Sequence, residues 1–227
     1  QINRKMEGRG KMIEFSELII GSVEDYDKLY DYVGKEAIDD YAVETLKRFV
    51  GTSCNKIVVE YPYHDKDFLS TYYCYYSQKF RSFPKKCYRL HIMGKDEVYY
   101  GYIVLRPTVK GTRLGTTYLS PKPLINEEAY LMLAKYEAHI MDNKCEIKCF
   151  PWMKQEVDIS VCAHVAAWTI LRYYGNKYHN YADTTMGAIA QKIKGDMGRK
   201  TPSNGLTPVQ IADLFQEYGF SPIIRVE

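Results

Sequence analysis

The chain reads as an α+β protein in two parts, and three observations carry that reading. Between Tyr88 and Leu119 three strand-like runs follow one another, Tyr88–Met93, Glu97–Arg106 and Leu114–Leu119, joined through Gly94, Pro107 and Gly111. From Cys162 onward the apolar residues instead recur at helical spacing in three successive stretches. The hydrophobic share is 46% against 26% charged residues over 227 positions, enough for a sizeable core in one large or two small domains. Residues 1–149 are assigned to a mixed α/β accessory domain with antiparallel strands, and 150–227 to a mainly helical part.

In chain order, Gln1 to Gly10 is basic and glycine-containing and reads as frayed, and Lys11–Ile20 as a short strand. Ser22-Val23-Glu24-Asp25 is a helix start, with Tyr26, Leu29, Tyr30 and Val33 behind it. Glu36–Val50 reads as a second helix stopped by Gly51. Lys56–Tyr63 has the β-branched content of a strand, and Asp65–Phe80 the spacing of a helix with Phe68, Leu69, Tyr72, Tyr73 and Tyr76 on one face. Tyr130–Met141 is read as a strand paired with Cys145–Phe150 across Asp142-Asn143-Lys144, because Cys145, Ile147 and Cys149 alternate with Glu146 and Lys148.

The most regular helix opens at Cys162 and runs through Val165, Trp168, Thr169, Leu171 and Tyr174, with Gly175 as a stop and Asp158 and Ser160 placed to cap it. A helix through Met186, Ile189, Ala190 and Ile193 follows, with Asp183 as its cap. Thr207-Pro208-Val209-Gln210 is a capping box with proline in the first turn, leading a helix that stops at Gly219. Ser221–Val226 reads as a closing strand.

The chemistry sits at the start of the Cys162 helix. A thiol in the first turn lies beside unpaired backbone N–H groups and the positive end of the helix dipole, a setting that favours thiolate. Gln155, seven positions ahead, carries an amide donor suited to an oxyanion formed where the sulfur attacks. His164 points about 200° away from Cys162 on the same helix and cannot serve it as base. His64, His91 and His139 belong to the first part, and His179 follows the helix.

The run Gln155 … Cys162-Ala163-His164-Val165-Ala166-Ala167-Trp168 … Leu171-Arg172-Tyr173-Tyr174-Gly175, with Asn204-Gly205-Leu206-Thr207-Pro208 after it, resembles the papain-like cysteine peptidase superfamily. It is most similar to the bacterial leader-peptide-processing (double-glycine) peptidases and their relatives, differing in having Val161-Cys162-Ala163 where those usually carry Asp-Cys-Gly. The resemblance spans Phe150 to Glu227 and implies the helical half of a papain-like domain. It also implies a thiol hydrolase, a peptide or protein substrate, and no cofactor. Cys162 would be nucleophile, and Gln155 with the Cys162 backbone N–H would form the oxyanion hole. The family's base histidine arrives on a later strand, and after Cys162 this chain holds only His164 and His179.

Three explanations stand: a base on a C-terminal fragment or second chain, an inactive papain-like scaffold that binds a peptide or protein, or a different family. The first is preferred because the Ser221–Val226 strand would otherwise keep an unpaired edge, and because the chain opens on Gln1 rather than methionine. That opening also leaves room for an upstream export signal.

Other classes are disfavoured. Cys145 and Cys149 are about 13 Å apart along a strand, too far for one metal, and no Cys-x-x-Cys knuckle occurs. Asp65/Asp67 and Asp39/Asp40 read as solvated or capping carboxylates. Gly195–Gly198 lacks a phosphate-loop pattern. A net charge of +3 is too weak to argue for nucleic acid, and no Lys/Arg cluster with interleaved aromatics stands out. Tyrosine is abundant, 22 residues, which suits half-buried sheet positions. Six scattered cysteines, no signal peptide and no membrane-length apolar run predict a reduced, cytoplasmic protein.

Overall fold

The computed structural model describes residues 4–6, 13–107, 113–123, 130–155, 162–193 and 205–225. The strands are β1 (Arg4–Met6), β2 (Ile13–Ile19), β3 (Cys54–Tyr63), β4 (Cys87–Gly94), β5 (Tyr99–Leu105), β6 (Leu114–Leu119), β7 (Ala134–Ile140), β8 (Asn143–Cys149) and β9 (Trp152–Met153). The helices are α1 (Leu29–Val33), α2 (Asp40–Phe49), α3 (Lys66–Cys74), α4 (Cys162–Lys177), α5 (Met186–Lys192) and α6 (Pro208–Glu217). The architecture is α+β, built on a sheet of order β1-β2-β3-β4-β5-β6-β9 in which every pairing is antiparallel.

Strand alternation divides the core between the two faces of that sheet. Ile57, Val59, Leu90, Ile92, Ile103 and Leu105 face one way and pack with Leu29, Ile38, Val43 and Leu46 of the α1–α2 region. Their alternates Tyr102, Val104 and Tyr118 face the other way, onto Phe68 and Tyr72 of α3, Tyr136 and Ile147 of the β7–β8 hairpin, and Tyr173 of α4. The hairpin turns at Met141–Asp142, with Ile140 opposite Asn143 and Met141 at φ 53°. Ile147 and Cys149 are buried and Cys145 half-buried, while Glu146 and Lys148 are exposed.

Several elements begin where a capping side chain dictates. Asp25 accepts from the backbone of Gly21 and Ser22, starting the 3₁₀ turn Val23–Lys28 that leads into α1. The Asp39 carboxylate accepts from Ala42 N, so α2 opens at Asp40 and not at Glu36. Thr207 and Gln210 form the reciprocal box of α6, and Gly219 at φ +86° follows its end.

Other elements depart from the sequence-based expectation. α3 ends at Cys74 instead of reaching Phe80: the backbone leaves the helix at Tyr75, at φ -136°, and Tyr76 is buried against Tyr75 and Phe83. Gly175 does not stop α4, which continues to Lys177. A Cβ at Gly175 would lie 2.8 Å from the Ala182 carbonyl oxygen, so glycine is there for close approach. Asp183 does not cap α5. Thr185 does, accepting from Ala188 N, and Asp183 pairs with Arg172. Residues 221–225 form no strand. Pro222 offers no N–H to a ladder, and Ile223 is 79% exposed, which removes the unpaired-edge argument for a missing partner. Asp158, Ser160 and the cap they were expected to provide lie outside the described residues.

The division expected at residue 149 falls within continuous packing. β9 adds itself to β6, with Thr116 opposite Met153 and Thr117 opposite Trp152. Tyr173 of α4 shares a cluster with Tyr136 and Cys149. No described helix is long and apolar enough to cross a membrane.

Candidate active site

β9 and α4 together place Gln155 and Cys162. Met153 points to the helical side of the sheet and packs with Ala167, Trp168 and Leu171 of α4 and Leu214 of α6. Arg106, buried beside the same strand, donates from Nη2 to the Lys154 carbonyl at 3.0 Å. These contacts fix the backbone at the end of β9, and Gln155 follows two residues after Met153. Cys162 is the first residue of α4 and is exposed. Its Sγ lies 3.0 Å from Gln155 Oε1, with the thiol donating and the amide accepting. Turning the carboxamide by half a revolution exchanges Oε1 for Nε2 and presents an N–H at the same place. The arrangement therefore offers an exposed sulfur beside a hydrogen-bonding amide at a helix start.

What holds α4 in register is a buried polar node that the sequence reading missed. Trp168 is fully buried and donates from Nε1 to Asp67 Oδ1 at 2.8 Å. One turn on, Arg172, 2% exposed, donates from Nη2 to both oxygens of Asp67 at 2.9 and 2.8 Å and to the Thr184 carbonyl. Its Nη1 reaches Asp183 at 3.0 Å. The backbone N–H of Met186 also donates to Asp67. Next to it, Asp65 caps α3 by accepting from Phe68 N at 2.8 Å and receives Thr116 Oγ1 at 3.3 Å.

Asp65, like Asp39, is thus a capping carboxylate as expected, whereas Asp67 is neither a cap nor solvated; Asp65 and Asp67 are each only 3% exposed. Burial raises the Asp67 carboxyl to about 6 against the lowering influence of Arg172, and burial raises Asp65 as well. The available signal was a charged residue, Arg172, on the apolar stripe of a helix.

The five histidines lie elsewhere. His164 is buried on the inner side of α4. His179 follows the C-terminal end of α4, about 25 Å along the axis from Cys162 at roughly 1.5 Å per residue. His64 precedes Lys66, whose ammonium pairs with Asp183 near that same far end. His139 is on the hairpin. His91 is fully buried: Nδ1 meets the Tyr99 hydroxyl at 2.7 Å and Nε2 meets Glu60 at 3.1 Å, while Arg89 Nε donates to the same Glu60 oxygen at 2.6 Å. Burial lowers the His91 pKa, in keeping with a neutral ring in a structural network.

Burial also distinguishes the remaining thiols from Cys162. Cys54, Cys87 and Cys149 are buried, Cys74 and Cys145 half-buried, and burial pushes the Cys149 thiol up to about 12. Compared with known proteins, this chain matches no family model, no curated protein and no solved structure.

Proposed function

We propose that the protein is a thiol hydrolase, a cysteine peptidase of papain-like fold that cleaves a peptide or amide bond through Cys162. The observation that supports this is the contact between the exposed Cys162 Sγ and the Gln155 carboxamide, 3.0 Å apart at the first turn of α4. In the reaction the thiolate attacks the carbonyl carbon and the C–S bond forms. The oxyanion is held by the Gln155 amide and the Cys162 backbone N–H. The C–N bond then breaks, the amine leaves with a proton from the general acid, and water releases the acyl group. The base and acid is a histidine outside these 227 residues, since His91 is held by Tyr99 and Glu60, His179 follows the far end of α4, and His164 points about 200° from Cys162 around the same helix.

That same absence favours a second reading, an inactive scaffold that binds a peptide or protein without cleaving it. A peptide p-nitrophenyl ester separates the two, because its leaving group needs no general acid. Acylation of Cys162 in the intact chain, seen as an adduct mass and a p-nitrophenolate burst, is expected and should vanish in C162A. Q155A should slow the burst by about 10²- to 10³-fold. A burst that survives C162A, or one indifferent to Q155A, removes the hydrolase reading, and peptide binding with no adduct establishes the scaffold.

A further inference from the structure

The stretch from Phe68 to Lys95 contains no aspartate or glutamate, while carrying Lys79, Arg81, Lys85, Lys86, Arg89 and Lys95. Arg89 is committed to Glu60. Lys79, Arg81, Lys85 and Lys86 lie between α3 and β4, and among the described residues none of them pairs with a carboxylate. Aromatic rings hold them instead. Lys79 Nζ is 4.2 Å from the Tyr75 ring centre, Arg81 Cζ 5.9 Å from Phe83, and Lys85 Nζ 4.9 and 5.0 Å from Tyr72 and Tyr73.

Those rings form one connected surface. Tyr76, 3% exposed, touches Tyr75, Phe83 and Tyr72 at 5.0, 4.8 and 6.5 Å, and Tyr72 meets Tyr73 at 5.5 Å. Two rings of the same segment stand in solvent, Tyr73 at 59% relative exposure beside Tyr72 and Phe80 at 114% between Lys79 and Arg81 in the chain. Lys86 extends the cationic side toward Tyr61, which stacks on Tyr88 with centres 4.3 Å apart. Cations without acidic partners, set among rooted π-faces, match a polyanion that also carries flat rings.

We propose that this surface binds single-stranded nucleic acid, with phosphates on Lys79, Arg81, Lys85 and Lys86 and bases stacked on Phe80 and Tyr73. The chemistry is that of single-strand binders in general, in which a basic track supplies affinity and aromatic faces accept any base. A lipid surface fits less well, because tyrosines rooted on a folded helix dominate the patch and Phe80 alone projects as a wholly apolar ring. The proposal concerns a different region from Cys162 and does not depend on its chemistry.

The test is fluorescence anisotropy of a labelled dT20 strand against the whole chain at 50 mM NaCl. Micromolar binding is expected, with a log–log salt slope of about −2 to −3 if four phosphates are contacted at roughly 0.7 each. K79Q/R81Q/K85Q/K86Q should weaken it at least about tenfold and flatten the slope. Y73A/F80A should weaken it about tenfold and leave the slope unchanged, because stacking releases no counterions. These positions are on the surface, so thermal melts should match the parent. K28Q/K47Q/K135Q/K144Q, which removes the same charge from ion-paired sites, should stay within about twofold. Absence of binding, equal loss in that control, or an unaffected Y73A/F80A overturns the proposal. Stronger binding to phosphatidylserine vesicles or to polyglutamate than to dT20 overturns it too.

Discussion

Cys162 is exposed where Cys54, Cys87 and Cys149 are buried, so the protein should sort its own thiols under alkylation. A short iodoacetamide pulse on the native chain should label Cys162 first, with the three buried cysteines reacting only after unfolding, as read by peptide mapping. Comparable labelling of Cys87 and Cys162 would contradict the geometry around α4. Gln155 and Cys162 could be singled out from sequence because they are only seven positions apart and Cys162 opens a strongly periodic helix. The four cations near Phe80 stand in the sequence too, as Lys79-Phe80-Arg81-Ser82-Phe83-Pro84-Lys85-Lys86, a Lys/Arg cluster with interleaved aromatics that corrects the sequence-based expectation of none. A net charge of +3 averages them with acidic stretches, and only the structure shows which ring each one meets.

At the scale of elements, α4 depends on a carboxylate 105 residues earlier in the chain. Truncating it in D67A leaves a buried guanidinium facing no charge on that side, and should cost about 3–5 kcal/mol of unfolding free energy in urea titrations. The pH dependence follows from the direction of the Asp67 shift. Its folded carboxyl titrates near 6 against an ordinary 3.8, so the folded state holds the proton more tightly. The stabilisation from that proton is complete below about 3.8 and is lost as pH rises through about 6. Helix existence was readable here, and so was the Thr207 capping box, because both are local patterns. The Asp67 partnership was not, since periodicity records that a position is inward but not what lies across the gap. Gly175 misled for a related reason: glycine ends helices and also admits a crossing backbone, and only the Ala182 contact tells the two apart.

For the molecule as a whole, the second face of the sheet and the C-terminal helices pack without a break at residue 149. Residues 1–149 expressed alone would lose β9 from the edge of β6, Tyr173 from the tyrosine cluster, and Arg172 from Asp67. That fragment should therefore give a poorly dispersed amide NMR spectrum, or aggregate, while the full chain gives a dispersed one. A dispersed spectrum from the fragment would show that the first part folds independently. The α+β class was legible because a series of strands from Cys87 gives way to a series of helices from Cys162. The placement of Trp152–Met153 as the seventh strand was not, since two residues carry no periodicity.

The hydrogen bond between the Trp168 indole and Asp67 has an optical consequence. The chain has 2 tryptophans, and one of them touches the carboxyl that titrates at about 6. Acidification from neutral pH should therefore change the emission of the native protein with a midpoint near that value, a change W168F abolishes and W152F retains. The thiol-bearing helix would then carry a gauge of its own anchoring, readable without any added dye.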